Sequence, residues 1–198
     1  MATTETRKLN VGCGRDIRAG YVNLDVTPLP GVDVVHDLSV FPWPFDDETF
    51  DEVLMMSVLE HLPNVVRTVE ELWRICRDGA KVVLCVPHWN SRTAWLDPTH
   101  LRPFDAETFD FFDPEAELCR ERSYYTRARF RVEAVTYHGF WFRRAWPWSK
   151  RVTRERPRRQ LMRLLTSLPD IVHYLDFELR ALKSAEDSRP DAKVHPED

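Results

Sequence analysis

The sequence predicts an α/β domain built on a doubly wound, mostly parallel sheet, and three observations carry that prediction. Short apolar runs alternate with helical spacing through the first half of the chain, which is the signature of successive βα units. The first run, Leu9–Val11, breaks directly into Gly12-Cys13-Gly14, a strand entering a tight turn. The run Lys81-Val82-Val83-Leu84-Cys85-Val86 is almost continuously apolar, as suits a parallel strand covered on both faces. Sheets of this kind bind their ligands beyond the carboxyl ends of the strands.

Taken in order, strands are expected over Leu9–Val11, Tyr21–Val26 and Val32–His36. Phe41-Pro42-Trp43-Pro44-Phe45 reads as a loop, because two prolines remove ladder donors. Phe50–Met56 is the fourth strand. After Pro63-Asn64 the residues Val65, Val69, Leu72 and Cys76 recur at helical spacing. That helix is expected to stop at Arg77-Asp78-Gly79, with Gly79 just past its end. Residues 88–128 form a long ordered connection with one helix near Ala106–Phe112. Phe130–Val135 alternates like a half-exposed strand. Residues 141–163 hold nine Lys or Arg against one acid, Glu155, with Trp141, Trp146 and Trp148 interleaved. Leu161, Leu164, Leu165 and Leu168 mark an amphipathic helix, Phe177–Leu182 a last strand, and the tail from Ser184 is polar and expected to be disordered.

Composition narrows the function classes. Hydrophobic residues make up 43% and charged residues 30% of the 198, which is globular rather than disordered composition. The formal net charge of −4 gives no global reason to expect nucleic acid, and no DNA partner is expected. No apolar run approaches membrane-spanning length, and the N-terminus lacks the apolar segment of a signal peptide. The cysteines, Cys13, Cys76, Cys85 and Cys119, contain no Cys-x-x-Cys pair. A reduced, cytoplasmic setting is the expectation.

The glycine turn is the first candidate site. Asp25 ends the next strand, where a carboxylate would grip a ribose diol. A dinucleotide fingerprint wants a third glycine three residues after the second and an acid about twenty residues further on. Here the third position is Ile17, and Asp25 comes only eleven residues after Gly14. NAD and FAD are therefore disfavoured. No Gly-Lys-Ser or Gly-Lys-Thr phosphate loop occurs.

From about Lys8 to Asp113 the chain resembles the class I S-adenosylmethionine-dependent methyltransferases, especially the small type 11 group. The resemblance is carried by Leu9-Asn10-Val11-Gly12-Cys13-Gly14, Asn23-Leu24-Asp25, His36-Asp37-Leu38 and Pro42-Trp43-Pro44-Phe45. It continues through Phe50-Asp51-Glu52-Val53, Ser57-Val58-Leu59-Glu60-His61-Leu62 and Val82-Val83-Leu84-Cys85-Val86-Pro87-His88. It implies the Rossmann-like class I methyltransferase fold; this chain departs from it in a shortened first helix, and its residues add a helical, basic insertion before the last strand. It also implies S-adenosylmethionine as cofactor, with its methionine part against Gly12, Cys13 and Gly14. Asn10 takes the place where the family often has an acid. Asp25 would accept both ribose hydroxyls and Asp37 the adenine amine, with the Leu38 backbone beside the ring and Met56 and Ser57 closing the pocket. Asp16 stands where the family commonly has a third glycine, and only ten residues separate Gly14 from Asp25, too few for a normal helix and its connections.

This reading makes residues 1–183 one methyltransferase domain, residues 138–175 an insertion or lid over the active site, and 184–198 a tail. Methyl transfer needs a held nucleophile and a group that takes its proton. His88, Asp97 and His100 are the catalytic candidates, with three readings open: a histidine base oriented by the carboxylate, a two-histidine, one-carboxylate metal set, or a hydrogen-bonded loop. No metal is assigned. His61 is as well explained by packing against the cofactor loop as by catalysis, and Glu60 is expected at the surface or one step removed from the site. The expected reaction is methylation of a small molecule, with oxygen slightly favoured over nitrogen as acceptor. The arginines would suit an anionic acceptor. Alternatives are a methyltransferase acting on RNA or a membrane glycolipid through the basic segment, and a non-catalytic cofactor- or partner-binding module. The tryptophans and the leucine helix make a homodimer plausible.

Overall fold

The computed structural model describes residues 6–141, 146–153 and 166–183. Its strands are β1 (Lys8–Val11), β2 (Val22–Asp25), β3 (Val34–Val35), β4 (Phe50–Met56), β5 (Cys76–Pro87), β6 (Phe130–Trp141), β7 (Trp146–Thr153) and β8 (Val172–Ala181). They form one sheet in the order β3-β2-β1-β4-β5-β8-β6-β7. The first five run parallel, and β8 enters antiparallel between β5 and β6. This is the Rossmann-like, mostly parallel sheet that the sequence predicts.

Strand register stacks the core in rows. Leu9, Val53, Val82, Leu179 and Val132 are register neighbours across five strands, and Val11, Met55, Leu84, Phe177 and Val135 form the next row. All ten are buried. Side chains alternate between the faces of a strand, so the opposite face carries Lys8, Glu52, Lys81 and Glu178. Those four are half-buried and linked by ion pairs: Lys8–Glu52 at 3.1 Å, Lys81–Glu178 at 3.8 Å and Arg151–Glu178 at 2.5 Å. The apolar run of β5 therefore alternates buried Val82, Leu84 and Val86 with half-buried Val83 and Cys85.

Helix α1 (Val65–Ile75) begins where Asn64 Oδ1 accepts the Arg67 N–H at 3.0 Å, an N-cap of the usual kind. It buries Thr68, Val69, Leu72 and Ile75. It ends at Ile75, four residues before Gly79, because Cys76 turns extended and pairs with Phe50 of β4. Gly79 lies inside β5 instead, at φ +73°. Its left-handed backbone takes up the irregular register between Phe50 and Glu52. The turn expected as a helix at Ala106–Phe112 is a short 3-10 segment, Thr108–Phe111. Two further short helices, α2 (Thr93–Leu96) and α3 (Glu117–Glu121), occupy the long connection.

The second half departs furthest from expectation. β6 runs six residues past Val135, to Trp141, and β8 begins at Val172 rather than Phe177. Trp146–Thr153, the front of the basic segment, pairs with β6 as the outermost strand β7. An edge position tolerates Pro147. Gly139 is needed in β6, since a Cβ there would meet the Ile171 carbonyl oxygen at 2.0 Å. The basic stretch 154–163, Leu161, Leu164, Leu165 and the tail from Ser184 lie outside the described residues. Among those described, no helix is long and apolar enough to cross a membrane.

Candidate active site

Gly12 and Gly14 sit at the carboxyl end of β1 with φ of +64° and +51°, in the region glycine enters freely. The turn is fastened to β2. Cys13 N–H donates to the Leu24 carbonyl at 2.9 Å, and Gly14 N–H donates to Asp25 Oδ2 at 2.8 Å. The other carboxylate oxygen of Asp25 accepts the Thr27 N–H at 2.9 Å. Burial and the neighbouring Asp25 charge push the Cys13 thiol up, which keeps it protonated and unreactive.

The ten residues between Gly14 and Asp25 contain no helix. Buried amides hold them instead. Asn10 Nδ2 donates to the Asp16 carbonyl at 2.7 Å and to Asn23 Oδ1 at 3.1 Å. Asn23 Oδ1 also accepts the Arg18 N–H, and Asp33 Oδ2 accepts the Asn23 N–H at 2.7 Å. Asn10 thus spends its amide inside the loop. Sequence reading placed Asn10 near the cofactor but missed Asn23 and Asp33 as its supports.

Asp37 and Leu38 follow β3, beside Asp25, with His36 N–H donating to the Asp25 carbonyl at 3.0 Å. Asp37 is exposed, and the Ser39 hydroxyl and N–H hold its carboxyl below the usual range. Leu38 is buried, its carbonyl accepting Trp43 Nε1–H at 3.1 Å. The proline-rich loop is locked to α1 by Glu71, which accepts the Trp43 N–H, and by Arg74, which donates to the Trp43 and Phe45 carbonyls. Met56 ends β4, and Ser57 follows at φ +55° with its N–H on the Cys85 carbonyl.

These residues fit an S-adenosylmethionine-type ligand. A Cβ built on Gly14 would meet nothing within 4 Å, so the turn opens onto free space. Asp25 and Asp37 place two carboxylates at adjacent strand ends, acceptors that suit a diol and an amine. A cavity of about 380 Å³ lined by Arg7, Trp43, Pro44, Phe45, Asp46 and Thr49 opens at the other edge of the sheet, at the amino ends of β1 and β4, away from this chemistry.

The catalytic candidates separate. His88 is buried, and burial depresses its pKa and keeps the ring neutral. Its Nδ1 receives the Asn90 N–H at 3.4 Å, and its Nε2 has no partner in hydrogen-bond geometry. Asp97 is exposed and does not bond either candidate histidine. Its Oδ1 accepts the Thr99 N–H and, at 2.6 Å, the Thr99 hydroxyl, and Thr99 holds its carboxyl low. His100 Nδ1 donates to the Ala94 carbonyl at 3.2 Å. Its nearest carboxylate is Glu60, Nε2 to Oε1 3.9 Å.

Glu60, His61 and His100 form a group that sequence reading missed. Glu60 is 1% exposed and its Oε2 has no hydrogen-bond partner, so the expected surface position is corrected. Its two neighbours on a short 3-10 turn, Leu59–His61, show why: Leu59 enters the core and the turn carries Glu60 in with it. Leu101 N–H donates to the Glu60 carbonyl at 2.8 Å, tying the turn to the loop at 97–101. The rings of His61 and His100 meet edge to face at 4.7 Å. The adjacency Glu60-His61, four residues past the end of β4, was the one available signal.

Burial pushes the Glu60 carboxyl up to about 7. The folded protein therefore holds the Glu60 proton more tightly than the unfolded chain, and Glu60 costs stability as pH rises from about 4.5 to 7. Glu60→Gln is expected to raise the melting temperature by roughly 7 °C at pH 8 and to leave it unchanged near about pH 4. Calorimetric scans at the two pH values check this.

Residues 9–84 match the family model described as a methyltransferase domain, of the type 11 group. No curated protein matches the chain in sequence. Among solved structures, an S-adenosylmethionine-dependent methyltransferase from Thermotoga maritima, a possible histamine N-methyltransferase, is 15% identical over 90% of this chain and 83% of its own, with a TM-score of 0.58. A methyltransferase of the same dependence from Archaeoglobus fulgidus is 16% identical over 88% and 86%, with a TM-score of 0.57. The [4+2]-cyclase SpnF is 16% identical over 90% and 75%, with a TM-score of 0.50. At these identities the likeness shows the fold, and the cyclase shows that the fold also serves other chemistry. Residues 9–84 thus match a methyltransferase domain, and the fold around them is that of S-adenosylmethionine-dependent methyltransferases of known structure, a likeness that implies S-adenosylmethionine as cofactor.

Proposed function

We propose that the chain transfers the methyl group of S-adenosylmethionine to a small-molecule acceptor, with a hydroxyl favoured over an amine. The observation that carries this reading is the group Glu60, His61 and His100, which begins four residues after Met56 on the turn leaving β4. Gly12–Gly14, Asp25, Asp37, the Leu38 backbone, Met56 and Ser57 would hold the cofactor, which supplies an electrophilic methyl on a sulfonium when bound. His100 is the proton acceptor in this account. Its Nδ1–H is committed to the Ala94 carbonyl, which leaves Nε2 as a lone pair. That nitrogen would take the proton of an acceptor hydroxyl whose oxygen replaces the sulfur on the methyl carbon, with S-adenosylhomocysteine as the leaving group. An imidazole base suits a hydroxyl, whose proton must leave as its oxygen takes the methyl group. Trp89, Trp95, Leu96 and Leu101 are exposed along the same connection and offer an apolar wall to the acceptor.

His100→Ala is expected to lower kcat by about 100-fold while leaving the S-adenosylmethionine Kd unchanged. Calorimetry and a turnover assay on a small-molecule cell extract separate the two quantities. Unchanged turnover removes His100 from the mechanism.

A further inference from the structure

We propose that Glu60, His61 and His100 form a binding site for one divalent transition-metal ion of zinc type. The hydrogen bonds around the two rings fix their tautomers. Thr99 Oγ1 lies 2.6 Å from Asp97 Oδ1 and 2.9 Å from His61 Nδ1. The Asp97 carboxylate only accepts, so it receives the Thr99 hydroxyl proton, and the same oxygen must accept a proton from His61 Nδ1. His100 Nδ1 faces a carbonyl, Ala94 O, and must also donate. Both histidines therefore carry hydrogen on Nδ1, which in the neutral ring puts the lone pair on Nε2. Backing each ring through its far nitrogen with a carbonyl or a carboxylate relay is how proteins orient metal-ligating histidines.

Glu60 supplies the second, independent observation. Its side chain is 1% exposed, and Oε2 lacks a hydrogen-bond partner. A carboxylate taken out of water without partners is costly, and an ion would supply what the described residues do not. The 3.9 Å between His100 Nε2 and Glu60 Oε1 is too long for a direct hydrogen bond. One donor atom from each of the three residues lies within 4.8 Å of the others. Bonds of about 2.1 Å put tetrahedral ligands roughly 3.4 Å apart, so closure by up to about 1.4 Å completes the shell. Two imidazoles and one carboxylate leave coordination positions open. The inference rests on the proposed methyl transfer only for its consequence: an ion held here takes the His100 Nε2 lone pair, so His100 acts as proton acceptor in the metal-free protein and the bound ion suppresses that role.

The test uses the full chain stripped with chelator, then titrated with Zn²⁺ by calorimetry and with Co²⁺ by visible absorption. One ion per chain is expected, with a Kd of about 10 micromolar or tighter, and Co²⁺ bands without thiolate charge transfer, since the cysteines take no part. His61→Ala, His100→Ala and Glu60→Gln are each expected to weaken binding by about 100-fold. Thr99→Val keeps all three ligands and the exposed surface, and is expected to weaken it by about 10-fold. His138→Asn, which alters the separate His138–Asp176 pair, is expected to leave binding intact. No ion bound at about 100 micromolar metal, or binding that survives His100→Ala, overturns the site. Titration of the metal-free protein with S-adenosylmethionine is run alongside, so loss of the cofactor reading and loss of the ion reading register separately.

Discussion

Asp25→Ala is expected to weaken S-adenosylmethionine binding by about three orders of magnitude. The Asp25 carboxylate accepts the Gly14 N–H at 2.8 Å and the Thr27 N–H at 2.9 Å, so it braces the glycine turn as well as standing where the proposed account puts the ribose. Each carboxylate oxygen retains lone-pair capacity for a hydroxyl. Two hydrogen bonds from a diol to a charged acceptor contribute about 3–6 kcal/mol together, and about 4 kcal/mol is a factor near 1000. Asp25→Asn keeps one carbonyl oxygen and is expected to lose about 10- to 100-fold. Calorimetric titration of the three proteins gives the series. Equal affinity of wild type and Asp25→Ala would place the ribose elsewhere.

Gly12→Ala is expected to cost about 3 kcal/mol of stability and to abolish measurable cofactor binding at micromolar protein. Two effects add. The φ of +64° is one that an alanine adopts only with strain, and the new Cβ would stand 2.4 Å from Val58 Cγ2 and 2.9 Å from Cγ1. Val58 is β-branched and packs against the core, so it has few rotamers to retreat into. Val58→Ala in the same chain is expected to return the steric share, about 2 kcal/mol, and to leave the backbone share of about 1 kcal/mol. Denaturant unfolding of the two single variants and the double variant measures that coupling. A null coupling would mean that the turn moves as a body away from Val58.

The legible parts of this fold were those written locally. β1, β2 and β4 each appear as an apolar run ended by glycine, aspartate or serine, and those endings are the residues gathered at one edge of the sheet. Where the structure departs from expectation, long-range pairing decided. Cys76 reads as the last turn of α1, but bonding to Phe50 makes it the start of β5. His173 puts a polar side chain at an inward position and so breaks the apolar alternation that would announce β8, while Asp176, on the outward face, lies opposite Cys85 and Thr136 in register and hydrogen-bonds His138 at 2.8 Å. The Glu60 group was hidden for the same reason. The contact of Leu101 with Glu60 spans some forty residues, and with the His61–His100 ring pair it shows that His100 belongs with the turn after β4 rather than with Asp97 beside it in sequence. The missing helix before Asp25 was visible by counting, whereas the Asn10–Asn23–Asp33 hydrogen bonds that replace it were not, because buried asparagines carry no periodic signal.

The most direct measurement is transfer of isotope-labelled methyl from S-adenosylmethionine to fractionated cell extract, with Asp25→Ala as the paired control. The account predicts S-adenosylhomocysteine release matched by label in the small-molecule fraction, lost in the variant. Label confined to RNA, lipid or protein, or tight cofactor binding with no transfer to any fraction, would contradict it.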